Sequence, residues 1–500
     1  MNLGRKSGIL LHPTSLPSKY GIGELGNEVY EFIDFLKESR QTLWQVLPLG
    51  PVGFGESPYQ SFSAFAGNTL LISIDKLIEA GLLGYSDTQE TPVFDIDKVE
   101  FCKVKKYKEK LLKRAYEGFL KSDLHEEYER FSGQNSFWLD DYALFMAVKE
   151  HFNNVAWNEW DADIAFRRPE AVEHYRKLLF RNIEYHKFLQ YVFFLQWKNV
   201  KEYANSNGIK IIGDLPLFIS NDSSDAWAKP ELFEIDQSGV PLKVAGVPPD
   251  YFSETGQYWG NPHYRWDVME KDDYSWWRDR FSLLFKMVDI IRIDHFRGFE
   301  SYWEIPGNEK TAVNGKWIIG PGKKFFSTIN KYLGDLPIIA EDLGFITREV
   351  EELKNEFGFP GMKILQFSFG RGSEERFLPH NYEENSIVYT GTHDNDTAVG
   401  WFNKSHKTQP EALEQMLKYL GVESSVSEKE FCWALIETAY KSRSNAAVIP
   451  LQDILCLDTD ARMNIPSTIG GNWDWRVRKE MLSAEISEKL SLLAAKYNRN

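Results

Sequence analysis

Cysteine is nearly absent from this chain. Three occur in 500 residues, Cys102, Cys432 and Cys456, with no metal-ligand spacing among them and each in an apolar or helical setting. That excludes a disulfide scaffold and fits reduced thiols in a cytoplasmic protein. Long hydrophobic runs are missing too. No stretch of about 20 apolar residues is there to span a bilayer, and Met1 to Ser7 lead straight into a candidate strand without the apolar segment of a signal peptide. Positive charge is in deficit, 58 Lys and Arg against 73 Asp and Glu, a net charge of -15. Such a balance disfavours nucleic-acid and anionic-membrane partners and accommodates a neutral or cationic ligand more easily. Internal repeats and low-complexity segments are also lacking. What the chain holds in quantity is aromatic surface, 16 Trp, 23 Tyr and 34 Phe, which fills cores and also stacks on sugar rings.

The most informative stretch is Ile290-Ile291-Arg292-Ile293-Asp294-His295-Phe296-Arg297-Gly298. With Phe285 to Val288 ahead of it, the apolar, β-branched run suits a strand buried on both faces. Asp294 stands at its exit, where an acid is costly to bury unless paired, and Arg292, two residues earlier on the same pleat face, is the natural partner. Taken alone, such a pair is equally well a structural ion pair. The pattern recurs, however: Ile209 to Gly213 runs into Asp214, Leu336 to Ala340 into Glu341, and Asn385 to Tyr389 into Thr392-His393-Asp394. Four acid-tipped strands point to one site.

Other segments complete the alternation. Gly8 to His12, Thr42 to Pro48, Met362 to Phe367 and Ala446 to Leu451 read as further strands. Between strands lie periodic helices, with Val29, Phe32, Ile33 and Leu36 on one face of residues 28–39, and Ser427 and Glu430 in capping-box spacing. Eight strands with intervening helices predict an α/β fold, a single (β/α)8 barrel over residues 1–500 whose site lies at the C-terminal strand ends. Two connections are too long for barrel loops: residues 51–208, read as a largely helical insertion between strands 2 and 3, and residues 217–275, read as an irregular or small-sheet insertion between strands 3 and 4 that overhangs the site.

Paired carboxylates at strand ends suit retaining glycosidic cleavage, which needs a nucleophile and a proton donor roughly 5 Å apart. Asp294, ion-paired, suits attack. Glu341, from an adjacent strand in a less polar setting, suits the acid and base role. Asp394, with His393, and His295 are placed to bind sugar hydroxyls, although a histidine beside an acidic strand end is more often structural, and Asp342 and Asp396 read equally well as solvated loop acids or caps. Asp214, Asp294, Glu341 and Asp394 are also oxygen donors of the kind an octahedral metal uses. Arg292 and Arg297 beside Asp294 weigh against a cation there, and neither metal nor cofactor is expected.

At these residues the chain resembles a known family. Gly213-Asp214-Leu215-Pro216, Arg292 to Gly298, Ala340 to Gly344 and Thr392 to Asn395 are similar to the conserved regions of the α-amylase superfamily. Leu11 to Pro17, Gly55 to Ser61, the Pro248 to Trp259 loop, Ala461 to Asn464 and Gly471 to Trp473 narrow the resemblance to the amylomaltase (4-α-glucanotransferase) family over nearly the whole chain. The resemblance implies Asp294 as nucleophile, Glu341 as general acid and base and Asp394 as transition-state stabiliser. It also implies Tyr59, Asp214, Arg292, His295 and His393 on the donor sugar, with Asp250, Glu254, Trp259 and Asn464 along the glucan path. Donors would be maltooligosaccharides and α-1,4-glucans, and acceptors glucose or glucan. Two departures are visible: Glu24 where the family usually has Asp, and Ser467 where it usually has Gly. An α-glucan hydrolase and a catalytically silent glucan binder stand as the alternative functions.

Overall fold

The computed structural model describes residues 3–249, 253–370 and 375–500. Among them twelve strands form two sheets: β1 (Lys6–Leu10), β2 (Leu43–Gln45), β3 (Lys210–Leu215), β4 (Lys243–Val247), β5 (Gln257–Pro262), β6 (Ile290–Ile293), β7 (Ser301–Pro306), β8 (Lys316–Ile319), β9 (Ile338–Ala340), β10 (Gly361–Ile364), β11 (Ser386–Tyr389) and β12 (Ala446–Pro450). Eight run parallel in the order β10-β11-β12-β1-β2-β3-β6-β9, with helices in the connections. Their side chains are buried on both faces, as at Ile211, Ile212, Ile290, Ile291, Ile338, Ile339, Val448 and Ile449. This is the (β/α)8 barrel expected of β-branched runs separated by amphipathic helices.

The parallel register sets the site. Asp214 pairs with Arg292 across β3 and β6, and Ile293 pairs with Ala340 across β6 and β9. Asp294 and Glu341 are therefore level on neighbouring strand ends, their backbone amides donating to Leu215 O (3.0 Å) and Ile293 O (3.1 Å). Adjacent strands lie about 4.8 Å apart, which is the scale on which paired carboxylates work.

The barrel closes between β9 and β10 through an unusual seam. Ala340 N donates to Pro360 O at 2.9 Å, after which the Asp342 side chain takes over: Oδ1 accepts from Met362 N (2.7 Å) and Oδ2 from Lys354 Nζ (2.6 Å). Gly361 makes room, since a Cβ there would collide with that carboxylate. Asp342 is thus a buried closure residue and not a solvated loop acid.

Several boundaries differ from the sequence reading. Phe285 to Met287 belong to the last turn of the helix Ser275–Met287, so the strand begins at Ile290. Strand β10 ends at Ile364 because Leu365–Phe367 turn into a 3-10 helix. The small sheet, in order β5-β4-β7-β8, takes only half its strands from residues 217–275. The other half, β7 and β8, follows Asp294; β7 pairs antiparallel with β4, and β8 with β7. Between β2 and β3 run long helices, chiefly Phe101–Phe119, His125–His151 and Phe180–Ser206, and no helix among the described residues is long and apolar enough to cross a membrane. The first departure from the family pattern, Glu24, is buried and ion-paired with Lys108 from that helical segment, and Lys108 Nζ also donates to Ile72 O at 2.7 Å. The second, Ser467, has φ 65°, the left-handed region where a Cβ is disfavoured.

Two outcomes follow from this packing. Asp342→Ala strands the buried Lys354 ammonium and the Met362 amide, and a cost of about 3–5 kcal/mol is expected, read as a clear fall in unfolding temperature. Ser467→Gly removes a left-handed Cβ and is expected to slow amide exchange across residues 465–472, by up to about 1 kcal/mol of local stability, whereas Ser467→Val accelerates it.

Candidate active site

The centre of the site is a guanidinium. Arg292, 4% exposed, places Nη1 2.7 Å from both carboxylate oxygens of Asp214, whose side chain is fully buried, and 3.0 Å from Asp294 Oδ1. Its Nη2 lies 3.8 Å from Glu341 Oε2. Tyr59 completes Asp214 by donating its hydroxyl to Oδ2 at 2.7 Å. An arginine that is buried must be paired to repay its desolvation, and three acids from β3, β6 and β9 share that role. The sequence predicts Asp294 as the partner of Arg292; the closer contact is to Asp214.

Asp294 and Glu341 keep 29% and 16% of their side chains exposed, so both open to the mouth of the barrel. His295, at φ 52°, turns its backbone N–H onto Glu341 Oε2. Burial raises both carboxyls, and Arg292 opposes it. Asp294 has the nearer guanidinium contact, so Glu341 is pushed higher, helped by the negative charge of Asp294 itself. The pair holds one proton most readily on Glu341.

Asp394 faces them from the loop after β11 and is half-exposed. Burial works to raise its carboxyl, but His393 Nε2 at 3.3 Å and the Asn464 amide at 2.6 Å hold it down to about 2. His393 is lowered by burial and raised more by Asp394; it stacks on Tyr59 with ring centroids 5.2 Å apart and leans on Trp473 at 5.8 Å. The loop is tied from below, since Asn464 N donates to His393 O (3.0 Å) and Arg462 to the carbonyl of Asp394. Asp396, next in the loop, is buried against Lys404 at 2.5 Å and so is no solvated acid.

Burial, and then Arg297, push His295 down to about 3, so its ring is neutral, and its Nε2 is buried with no partner among the described residues. A ligand hydroxyl would satisfy it. Trp259 sets its ring edge-on to His295 at 4.9 Å and donates Nε1 to Gln257 at 3.1 Å, which brings the overhanging small sheet to the acids. Glu254 is exposed on the turn leading into β5, and Asp250, with Tyr251 and Phe252, lies outside the described residues. Sequence reasoning passed over Arg462 and Trp473 as working parts of the site; their only signal was their place in the Ala461 to Asn464 and Gly471 to Trp473 motifs.

Comparison with known proteins gives the family of the chain. The family model for glycoside hydrolase family 77, described as 4-alpha-glucanotransferase, matches residues 11–482. A 4-alpha-glucanotransferase of a Synechocystis strain is 49% identical over 99% of this chain and 98% of its own; that of Thermus thermophilus is 46% identical, with 100% of both chains covered. Among solved structures, an amylomaltase from Streptococcus agalactiae in complex with acarbose superposes with a TM-score of 0.95 at 44% identity, covering 99% of this chain and 100% of its own. The chain belongs to the 4-alpha-glucanotransferase family.

Proposed function

We propose that the site transfers α-1,4-glucan segments by retaining double displacement, with Asp294 as nucleophile, Glu341 as general acid and base, and Asp394 as the group that stabilises the distorted donor sugar. The observation that carries this reading is the single guanidinium shared by Asp214, Asp294 and Glu341. In the first step Glu341 gives its proton to the glycosidic oxygen as Asp294 attacks C1; the C1–O bond breaks and a glycosyl ester forms. Arg292 occupies Asp294 Oδ1 and leaves Oδ2 for attack. In the second step the Glu341 carboxylate takes the proton of an acceptor hydroxyl, which attacks C1 and frees Asp294. Asp394, ionised and steadied by His393 and Asn464, offers a fixed negative charge to the oxocarbenium-like transition state. Tyr59, Asp214, Arg292, His295 and His393 serve the donor sugar, and Glu254, Trp259 and Asn464 line the glucan path.

The donor is a maltooligosaccharide or α-1,4-glucan, and the acceptor is the 4-OH of glucose or another glucan. The aromatic rim favours a sugar acceptor over water by stacking it and shedding solvent; Tyr258 is 40% exposed there and Trp259 packs on His295. The segments 51–208 and 217–275 serve this one catalytic unit as insertions, and the three cysteines with the absence of a disulfide pattern support a cytoplasmic setting.

With maltotriose, the expected products are glucose and longer oligomers with reducing ends conserved; a steady rise in reducing ends matching turnover would identify a hydrolase. Asp294→Asn is expected to abolish turnover, and Glu341→Gln to let an activated fluoride donor trap the glycosyl-enzyme. Near-normal transfer by Asp294→Asn would refute the assignment.

The pH dependence has a definite sign. Activity needs Asp294 ionised and Glu341 protonated, so the rate falls as pH drops through the first and as it rises through the second. Both carboxyls are raised on folding, so the folded protein holds protons that the unfolded chain has released, and stability falls as pH rises from the ordinary carboxylate range. Arg292→Lys, which loses the fork reaching all three acids, is expected to move the acid limb of kcat/KM to higher pH.

A further inference from the structure

Behind the Asp394 loop, two of the three cysteines meet. Cys432 lies on the helix Glu428–Lys441 and is fully buried, while Cys456 follows the short helix Leu451–Ile454 at the end of β12 and is partly exposed. Their thiols are directed at neighbouring carbonyls: Cys432 Sγ donates to Asp453 O at 2.9 Å and Cys456 Sγ lies 3.9 Å from Ile454 O. The two residues share one acceptor, the Asp453 carbonyl, Cys432 through its thiol and Cys456 through its N–H. Cys456 also has φ 53°, a strained conformation for a residue with a Cβ, in a turn closed by its own N–H on Asp453 O at 3.0 Å.

The same Asp453 fastens the loop that carries His393 and Asp394. Its Oδ2 accepts from Thr390 Oγ1 and its Oδ1 from Ala398 N at 2.7 Å, so one buried carboxylate holds both ends of residues 390–398. We propose that Cys432 and Cys456 are a reversible oxidation site, closing to a disulfide under a peroxide or a small-molecule disulfide, and that closure loosens the Asp453 anchor and so the Asp394 loop.

With peroxide, the Cys456 thiolate attacks an oxygen, the O–O bond breaks, water leaves after protonation, and a sulfenic acid remains. Cys432 sulfur then attacks that sulfur, an S–S bond forms and a second water departs; two thiols are oxidised and one peroxide is reduced. Cys456 is the entry point because it is the accessible member. Lys489, which stacks on Trp433 at 3.8 Å, and Lys429 lie on the Cys456 side, where their charge favours a thiolate. Cys432 is buried and donates to Asp453 O, and both disfavour its ionisation. Forming the bond sets the sulfurs about 2.05 Å apart and takes the Cys432 donor from Asp453 O.

The test treats the full-length chain with hydrogen peroxide or diamide and reads two signals. Non-reducing peptide mapping should find a 432–456 cross-link with loss of two hydrogens, and transfer from maltotriose should drop several-fold and return with dithiothreitol. Cys456→Ser should keep its starting rate under the same oxidant, and Cys102→Ser should behave as the unaltered chain. Oxidation of Cys456 to sulfinic acid with no cross-link would overturn the site. A quantitative cross-link with an unchanged transfer rate would overturn the coupling to the loop. The cross-link is read without reference to catalysis, so its failure is distinct from a failure of the transferase reading.

Discussion

The contacts of one guanidinium organise the site. Arg292 sits inside the barrel, where an unpaired cation is prohibitively costly, and its neighbours are the acids at the tips of three strands. The ladder register places Asp214 beside Arg292 and brings Asp294 level with Glu341, so the convergence is a property of the closed parallel sheet and does not depend on flexible loops. Tyr59, from the segment after β2, adds the remaining hydrogen bond to Asp214. Burial raises the two carboxyls that open to the cleft, and the negative charge left in excess by three acids around one cation adds to it. The same shift that suits Glu341 to the proposed role of proton donor makes the site a burden on stability above the ordinary carboxylate range.

The remaining parts hold that cluster in place. The Asp342 carboxylate completes the β9–β10 seam immediately after Glu341, so the position of the Glu341 carboxyl and the closure of the barrel depend on consecutive residues. On the far side, Asp394 is held by two routes, His393 and Asn464 at its side chain and Asp453 at the ends of its loop. The small sheet brings Trp259 against His295. Its strands β7 and β8 lie in the chain between Asp294 and Glu341, so the wall of the cleft is built from the connection between the two carboxylates.

Much of this was legible in the sequence, for physical reasons. The eight barrel strands are short β-branched runs buried on both faces, a pattern few other structures share, and their acidic ends marked the site because an acid at such a position demands a partner. The misses have equally concrete causes. Phe285 to Met287 read as strand in the sequence because an apolar run carries no period that separates a helix end from a strand start. Strands β7 and β8 escape a reading of the sequence because Ser301–Pro306 and Lys316–Ile319 are short and β8 is largely exposed, so neither shows a buried periodic run. Asp342 and Asp396 read as solvated loop acids or caps in the sequence because their partners, Lys354 and Lys404, are on helices whose packing no local pattern reveals. Arg292 was assigned to Asp294, its neighbour on the strand, because cross-strand register, which gives it Asp214, is not written in either strand alone.

The central claim is that this cluster stores its proton on Glu341 and leaves Asp294 bare to attack. Neutron diffraction from deuterated crystals near neutral pH tests it most directly. The account predicts nuclear density for a deuteron on a Glu341 carboxyl oxygen and none on Asp294, with Arg292 fully deuterated between them. A deuteron on Asp294, or two bare carboxylates, would contradict it.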